Sequence, residues 1–337
     1  MHPSRFLLIQ TAFIGDAILA TALLEKLTRH YPNARIDLLI RKGNESLFFQ
    51  HPHITKLLIW DKKRKYSSWW QMLLEVRRTR YDVVVNVQRF ASMGLLTVFS
   101  GAKQTVGFSS NPLAFAFSKR VKHILSEGLH ETDRNQKLIE HLTDSIALRP
   151  ALYPPKETMA EVAAYKQAPY ICLAPASVWF TKQLPEHIWS DLIRSLPESI
   201  HVYLIGAPSD KEKCERLASV APNRTTSLAG KLSLLSSAAL LQDAVMCFVN
   251  DSAPLHIASA MNTPTCAIYC STVPAFGFGP LSDVQVIVQT TLDLKCRPCG
   301  LHGHNKCPLE HFSCGNSIHI QQLLAALRKV YPMTETD

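Results

Sequence analysis

Asp16, Lys182, Asp251 and His256 each stand where a strand-like run gives way to a loop and then a helical pattern, the place from which side chains reach a ligand. Asp16 lies in "LLIQTAFIGDAILATALLEKL", residues 7–27. The apolar run Phe6–Ile9 predicts a buried strand, Gly15 a tight turn, and Ala17, Ile18, Leu23, Leu24 and Leu27 the apolar face of a helix. Such a unit offers the positive end of a helix dipole to an anion, yet the residue there is a carboxylate. The dipole favours such a charge, so the Asp16 carboxylate is expected to stay ionised. The plainer reading is an N-cap with no catalytic duty.

The stretch "FVNDSAPLHIASAMNTPT", residues 248–265, repeats the pattern with different chemistry. A buried strand ends at Asn250, Asp251-Ser252-Ala253 turns, and Pro254 suits the first helical position. The backbone N–H groups of Ser252 and Ala253, with the Ser252 hydroxyl, then face an anion. His256 adds a donor to a phosphate, and Asp251 accepts hydrogen bonds from sugar hydroxyls; the competing reading is a capped helix with a core histidine. In "LAPASVWFTKQLPEHIW", residues 173–189, Ser177, Thr181 and Lys182 precede a helix opening at Pro185. A lysine there can hold a diphosphate without a metal ion, although most single lysines are merely solvated. Gly206 in "YLIGAPSDKEK" and Gly230-Lys231 in "LAGKLSLLSSAALLQDA" mark two more strand-to-helix turns. Together the four loops predict a nucleotide-diphosphate site in the second half. Neither GxxxxGK[ST] nor GxGxxG occurs, and no DxD-type acidic pair is available for Mg²⁺, so the positive charge on a leaving group falls to Lys182, His256 and helix dipoles.

The elements that must position these residues alternate along most of the chain, which predicts parallel sheets covered by helices. The first half carries strands at 6–9, 36–40, 56–59, 83–87 and 104–107. The Pro-rich segment 149–169 reads as a linker, after which strand and helix alternate again, with Ser209 as a plausible N-cap and an amphipathic helix closing the chain. The expected organisation is one domain over 1–155, a second over 165–315 that carries the diphosphate site, and a terminal helix with a disordered tail over 316–337.

A length of 337 residues suits two domains, and no run of about twenty apolar residues spans a membrane. The start lacks a signal-peptide pattern, so a cytoplasmic location is expected. The net charge of +9 points to an anionic partner, and the absence of zinc-finger, RNA-binding or long basic helical patterns argues against nucleic acid. Lys62, Lys63, Arg64 and Lys65, followed by Tyr66, Trp69 and Trp70, are the mixture favoured at a lipid headgroup surface; a solvated loop before a helix with core tryptophans is the other reading. Of nine cysteines, Cys172, Cys247, Cys266 and Cys270 sit in apolar runs as small core residues. Cys296, Cys299, Cys307 and Cys314, among His302, His304 and His311, begin with the CxxC of a structural zinc site; otherwise they are reduced thiols in a loop near the donor site.

The stretches "FIGDAILATALL", "TKQLPEHIW", "GKLSLLSSAALLQDA" and "VNDSAPLHIASAMNTPTCAIYCST" resemble the lipopolysaccharide heptosyltransferases, and the similarity covers nearly the whole chain. The late "CRPCGLHGHNKCPLEHFSC" looks more like the second heptosyltransferase than the first. The resemblance implies a GT-B fold, an α/β architecture of two Rossmann-like doubly wound domains facing across a cleft. It implies inverting, metal-independent transfer of L-glycero-D-manno-heptose from ADP-heptose to the Kdo- or heptose-bearing lipid A of the inner core. The work would be done at the inner face of the cytoplasmic membrane. By position, Asp16 matches the general base and Lys182 the donor-phosphate lysine. Asp251 matches the residue holding heptose hydroxyls, and Ser252, Ala253 and His256 the pyrophosphate-binding turn and helix. The basic residues Lys62, Lys63 and Arg64 would meet the acceptor's anionic groups. Ala253 stands where glycine is frequent, and "LAPASVWF" departs from the usual Pro-Gly-Ala pattern, with Val178 where a hydroxyl residue is common. Two rivals therefore stand beside this reading: a GT-B transferase for another nucleotide sugar in cell-envelope polysaccharide synthesis, and a non-catalytic nucleotide-sugar-binding relative.

Overall fold

The computed structural model describes residues 4–124 and 128–332, with the side chains of Lys65 and Tyr66 also outside the described set. The chain divides into two compact units, 1–153 and 154–337. Each unit is built on one six-stranded sheet.

In the first, the strands are β1 (Arg5–Gln10), β2 (Arg35–Arg41), β3 (Lys56–Trp60), β4 (Val83–Asn86), β5 (Gln104–Phe108) and β6 (Lys119–Val121), in spatial order β3-β2-β1-β4-β5-β6. The second contains β7 (Tyr170–Ala174), β8 (His201–Leu204), β9 (Thr225–Ser227), β10 (Met246–Asn250), β11 (Thr265–Tyr269) and β12 (Gln285–Gln289), in order β12-β11-β10-β7-β8-β9. Every pairing is parallel. Numbered from its own first strand, each sheet therefore runs 3-2-1-4-5-6, the order of the dinucleotide-binding fold. Chain order reverses between β1 and β4 in one unit and between β7 and β10 in the other. Crevices at the carboxyl ends of these strands are where doubly wound proteins bind ligands.

Parallel strands need crossovers, and the described helices supply them: α1 (Ile14–Leu19), α2 (Thr21–His30), α3 (Lys65–Thr79), α4 (Ala91–Val98) and α5 (Glu131–Gln136) in the first unit. The second has α6 (Lys156–Glu161), α7 (Glu186–Ser195), α8 (Lys211–Ala218), α9 (Leu234–Gln242), α10 (Ala253–Ala260), α11 (Ser313–Asn316) and α12 (Ile320–Leu327). The central strands are continuous apolar runs because both sheet faces are covered: Phe6–Ile9, Ile171–Leu173 and Met246–Val249 are wholly buried. On α7, Ile188, Trp189, Leu192 and Ile193 form one stripe that packs into this core. Ser233 caps α9, its hydroxyl accepting from the Ser236 N–H at 3.0 Å.

Four local expectations need correction. Gly15 is not a turn but lies inside α1, and the helix read over 17–27 is two helices that meet at Ala20. The expected linker, 149–169, does contain the boundary between the units but is not a free spacer: α6 occupies part of it, Val162 is fully buried, and the Ser236 hydroxyl on α9 donates to Glu161 at 2.7 Å. The apolar residues of "MAEVAAY" are enough to seat the segment on the second unit despite its prolines. Ser209 caps nothing; Asp210 instead accepts from the Ala207 N–H at 2.8 Å and closes the turn before α8. Pro254 is the second helical residue of α10, since Ala253 opens it. Two strands went unread, β6 and β12; both sit at sheet edges and are too short or too exposed to carry an apolar period. The tail expected to be disordered, 333–337, lies outside the described residues.

Candidate active site

At the reversal point of the second unit, the loop after β7 and the turn after β10 bring Lys182 and Asp251 together. The Lys182 ammonium lies 2.7 Å from Asp251 Oδ2, with both side chains largely buried. Asn250, fully buried at the end of β10, pins this junction: its amide donates to the Ala174 carbonyl at 3.4 Å and its carbonyl accepts from the Leu184 N–H at 3.0 Å. The loop carrying Lys182 therefore has its far end fixed to the strand that ends just before Asp251.

Immediately after Asp251 begins α10, eight residues long, with extended Ser252 at its N-cap. The Ser252 hydroxyl donates to the Asn250 backbone carbonyl at 3.3 Å and the Leu255 N–H to the Ser252 carbonyl at 3.0 Å, and Pro254 has no N–H, so the Ala253 N–H is the one the first turn of the helix can offer to an outside acceptor. Ala253 keeps a negative φ, so glycine's freedom is not required there. His256 is buried one turn in, its ring 6.2 Å from that of Phe278. The site thus combines one ammonium, one carboxylate and a helix N-terminus within a single turn, which suits a sugar diphosphate: hydroxyls to the carboxylate, phosphate to the rest.

Thr181 differs from expectation. It is buried, and its hydroxyl accepts from the His304 N–H at 2.8 Å and from the Ser271 hydroxyl at 3.0 Å, so it fastens the Cys-rich segment beside Lys182 and does not present itself to a ligand. Gly303 makes that approach feasible: it has φ +77°, and a Cβ there would stand 2.9 Å from Thr181 Oγ1. Ser177 stays half-buried in the same loop, its carbonyl taken by the Gln183 amide at 2.7 Å. Gly206 lies just beyond β8, where its carbonyl accepts from the Gly230 N–H at 3.0 Å, and the Lys231 ammonium goes to the Ser227 carbonyl at 2.8 Å.

Lys213 was missed by sequence reasoning. It reaches from α8 to the Pro175 carbonyl at 3.1 Å and to Gln183 Oε1 at 2.6 Å, with its pKa lowered chiefly by burial. In the sequence it is one lysine in the charge run "SDKEKCER", indistinguishable from a solvated face.

In the first unit Asp16 follows β1 and falls in the first turn of α1, whose N-cap is Phe13. Burial pushes its carboxyl from 3.8 up to about 6; the charge of Glu131 adds to the rise, while backbone N–H groups and Arg89 oppose it. The helix terminus does not outweigh desolvation, contrary to the expectation of a dipole-stabilised ion. Glu131 is itself held by Arg134 Nε at 2.8 Å and His123 Nε2 at 3.2 Å. Burial raises Glu131, and the hydrogen bond and charge of His123 with those of Arg134 outweigh it. These residues were unread because Glu131 and Arg134 sit on the short polar α5 and Arg89 and His123 in irregular segments, none with an apolar period, and the charges of Arg89 and Glu131 act on Asp16 from far along the chain.

Lys62, Lys63 and Arg64 form one exposed 3₁₀ turn after β3. The Lys62 ammonium sits over the Trp60 ring at 5.4 Å, and Arg41 lies over Phe13 at 5.3 Å. Burial and the neighbouring Arg41 lower the Lys62 pKa. Arg41 therefore stands between the basic turn and Phe13, the N-cap of the helix that carries Asp16, a connection absent from the sequence pattern.

The zinc expectation finds no support. Cys296, Cys299, Cys307 and Cys314 are free thiols, and no group of three or more His, Cys, Asp or Glu side chains among the described residues is arranged to hold a metal ion. The Cys299 thiol instead donates to the Cys296 carbonyl at 3.1 Å. No helix among the described residues is long and apolar enough to cross a membrane.

Comparison with known proteins agrees with this architecture. Lipopolysaccharide heptosyltransferase 1 of Pseudomonas aeruginosa is 26% identical over 319 residues, 88% of this chain and 86% of that protein. ADP-heptose LPS heptosyltransferase II of E. coli superimposes with a TM-score of 0.80 at 19% identity, covering 97% of this chain and 98% of the other. A glycosyl transferase of family 9 from Veillonella parvula gives 0.84 at 19% identity, with 98% of each chain covered. The fold is therefore GT-B. Residues 69–309 match the model of glycosyltransferase family 9 (heptosyltransferase), more than two thirds of the sequence, and the chain belongs to that family.

Proposed function

We propose that the protein transfers L-glycero-D-manno-heptose from ADP-heptose to a Kdo- or heptose-bearing lipid A acceptor, with inversion and without a metal ion. The carrying observation is the Lys182–Asp251 pair at 2.7 Å beside the open N-terminus of α10. In this reading Asp251 holds heptose hydroxyls while Lys182, His256, Ser252 and Ala253 hold the diphosphate. Asp16 takes the proton of the acceptor hydroxyl as its oxygen bonds to the anomeric carbon; the bond from that carbon to the diphosphate breaks, and ADP leaves with the electron pair. The negative charge that develops on ADP meets an ammonium and a helix N-terminus, the groups that stabilise it.

A melting-temperature series with ADP-, UDP- and GDP-sugars tests the donor. ADP-heptose should raise the midpoint in proportion to RT ln(1 + [L]/Kd), and the other two should not. A shift with UDP- or GDP-sugars alone favours the rival transferase, which the exposed Val178 in the donor loop motivates. Binding without turnover on any inner-core acceptor favours the non-catalytic relative.

The acceptor reading places Lys62, Lys63 and Arg64 against anionic groups at the inner face of the cytoplasmic membrane. Trp70 and Leu74, one turn apart on α3, are 60% and 52% exposed next to that basic turn, which supports contact with headgroups. The protein should co-sediment with vesicles of anionic lipid and not with zwitterionic ones, and Trp70→Ser should weaken the binding. Equal retention on both vesicle types removes the membrane assignment.

A further inference from the structure

The Cys-rich segment has no place in the reaction just described, yet its contacts converge on the donor site. Arg297 aims its guanidinium at the loop after β11: Nε donates to the Cys270 carbonyl at 2.7 Å, and Nη2 to the Thr272 carbonyl at 2.8 Å and to Gln289 Oε1 at 2.8 Å. The Cys299 N–H donates to the Ser271 carbonyl at 2.9 Å. Residues 270–272 are thereby tied at each successive carbonyl. Thr272, fully buried at the end of this run, turns its hydroxyl to Asp251 and donates to Oδ2 at 2.7 Å.

The Lys182 ammonium pairs with that same oxygen at 2.7 Å. The hydroxyl and the ammonium thus converge on Oδ2. A carboxylate gripped from two directions through one oxygen cannot rotate freely, and its other oxygen keeps a fixed heading. Lys182 alone would not achieve this, because an ammonium on a four-carbon stem is a point charge without directional preference. The Thr272 hydroxyl, short and set on a backbone clamped by Arg297, supplies the direction.

We propose that Thr272 is a positioning residue that orients Asp251 toward the sugar of the nucleotide donor, with Arg297 fixing the backbone from which it acts. The proposal rests on the reading that Asp251 holds the sugar's hydroxyls. It assigns the segment opening at Cys296 a role as a strap over the donor site, in place of a metal centre.

Calorimetric titration of the full-length protein with ADP and with ADP-heptose separates the sugar's contribution from the nucleotide's. For the wild type, ADP-heptose should bind more tightly than ADP, and Asp251→Asn should abolish that increment. Thr272→Val, near in shape but without the hydroxyl, should cut the increment about tenfold, the loss typical of one hydrogen bond to a charged group. It should leave ADP affinity unchanged, and Thr272→Ser should restore the increment. A merely structural role would weaken ADP and ADP-heptose equally, and that outcome overturns the proposal. A full increment in Thr272→Val, with the increment lost in Asp251→Asn, also overturns it while the donor reading stands. An increment that survives Asp251→Asn removes the donor reading itself.

Discussion

Asp16→Asn should lower turnover by a factor on the order of 10²–10⁴, the range of a lost general base, while ADP affinity stays at the wild-type level. The amide keeps the shape of the carboxylate and cannot take the acceptor's proton. Because burial holds the Asp16 carboxyl at about 6, the wild-type rate should climb as pH rises through that value and flatten above it, where the group is ionised. Stability should move the other way. Between 3.8 and about 6 the folded protein binds more protons than the unfolded chain, so folding weakens as pH rises through that window. Replacing the carboxyl by a neutral amide removes the penalty, and Asp16→Asn should melt at a higher temperature than the wild type at neutral pH. A variant that is more stable and nearly inactive is the signature of a carboxylate kept for function at the expense of the fold. Unchanged turnover in Asp16→Asn, with intact donor binding, removes the base assignment.

Lys182→Met should have the second large effect. Transfer should fall by a factor on the order of 10²–10³, the loss expected when one preorganised group facing developing charge is removed. The same change strands Asp251, whose Oδ2 keeps only the Thr272 donor, and breaking a largely buried ion pair costs up to about 3–5 kcal/mol. Two effects are thus mixed in a single substitution. Combining Lys182→Met with Asp251→Asn separates them: charge balance returns and the melting temperature should recover, whereas affinity for ADP, which Asp251 does not serve, should remain low. Recovery of ADP affinity in the double variant would mean that Lys182 serves the fold through Asp251 and not the diphosphate.

Much of this architecture is present in local pattern. The apolar runs at 6–9, 171–173 and 246–249 are strands because a sheet covered on both faces demands unbroken burial, and burial of that kind is written into consecutive residues. The placement of Asp16, Lys182 and Asp251 at strand ends follows from the same runs, since a strand's end is where its apolar stretch stops. Ser233 before "LLSSAALLQ" announces a helix start by hydrogen-bond chemistry confined to three residues.

What tertiary structure decided is which of these groups meet, and in what charge state. Lys182 and Asp251 stand 69 positions apart, and only the adjacency of β7 and β10 makes them a pair. Thr181 has the residue type of a phosphate ligand and is instead the fastening point of a segment more than a hundred residues later. Lys213 and Arg297 are unremarkable in sequence because their partners are carbonyls, which every residue carries and no residue type advertises. The raised carboxyl of Asp16 has the same origin: a helix terminus is local and legible, whereas desolvation and the charge of Glu131 come from packing. Residue order determined the strands, the turns and the inventory of reactive groups; long-range burial and strand order selected which of those groups form the site.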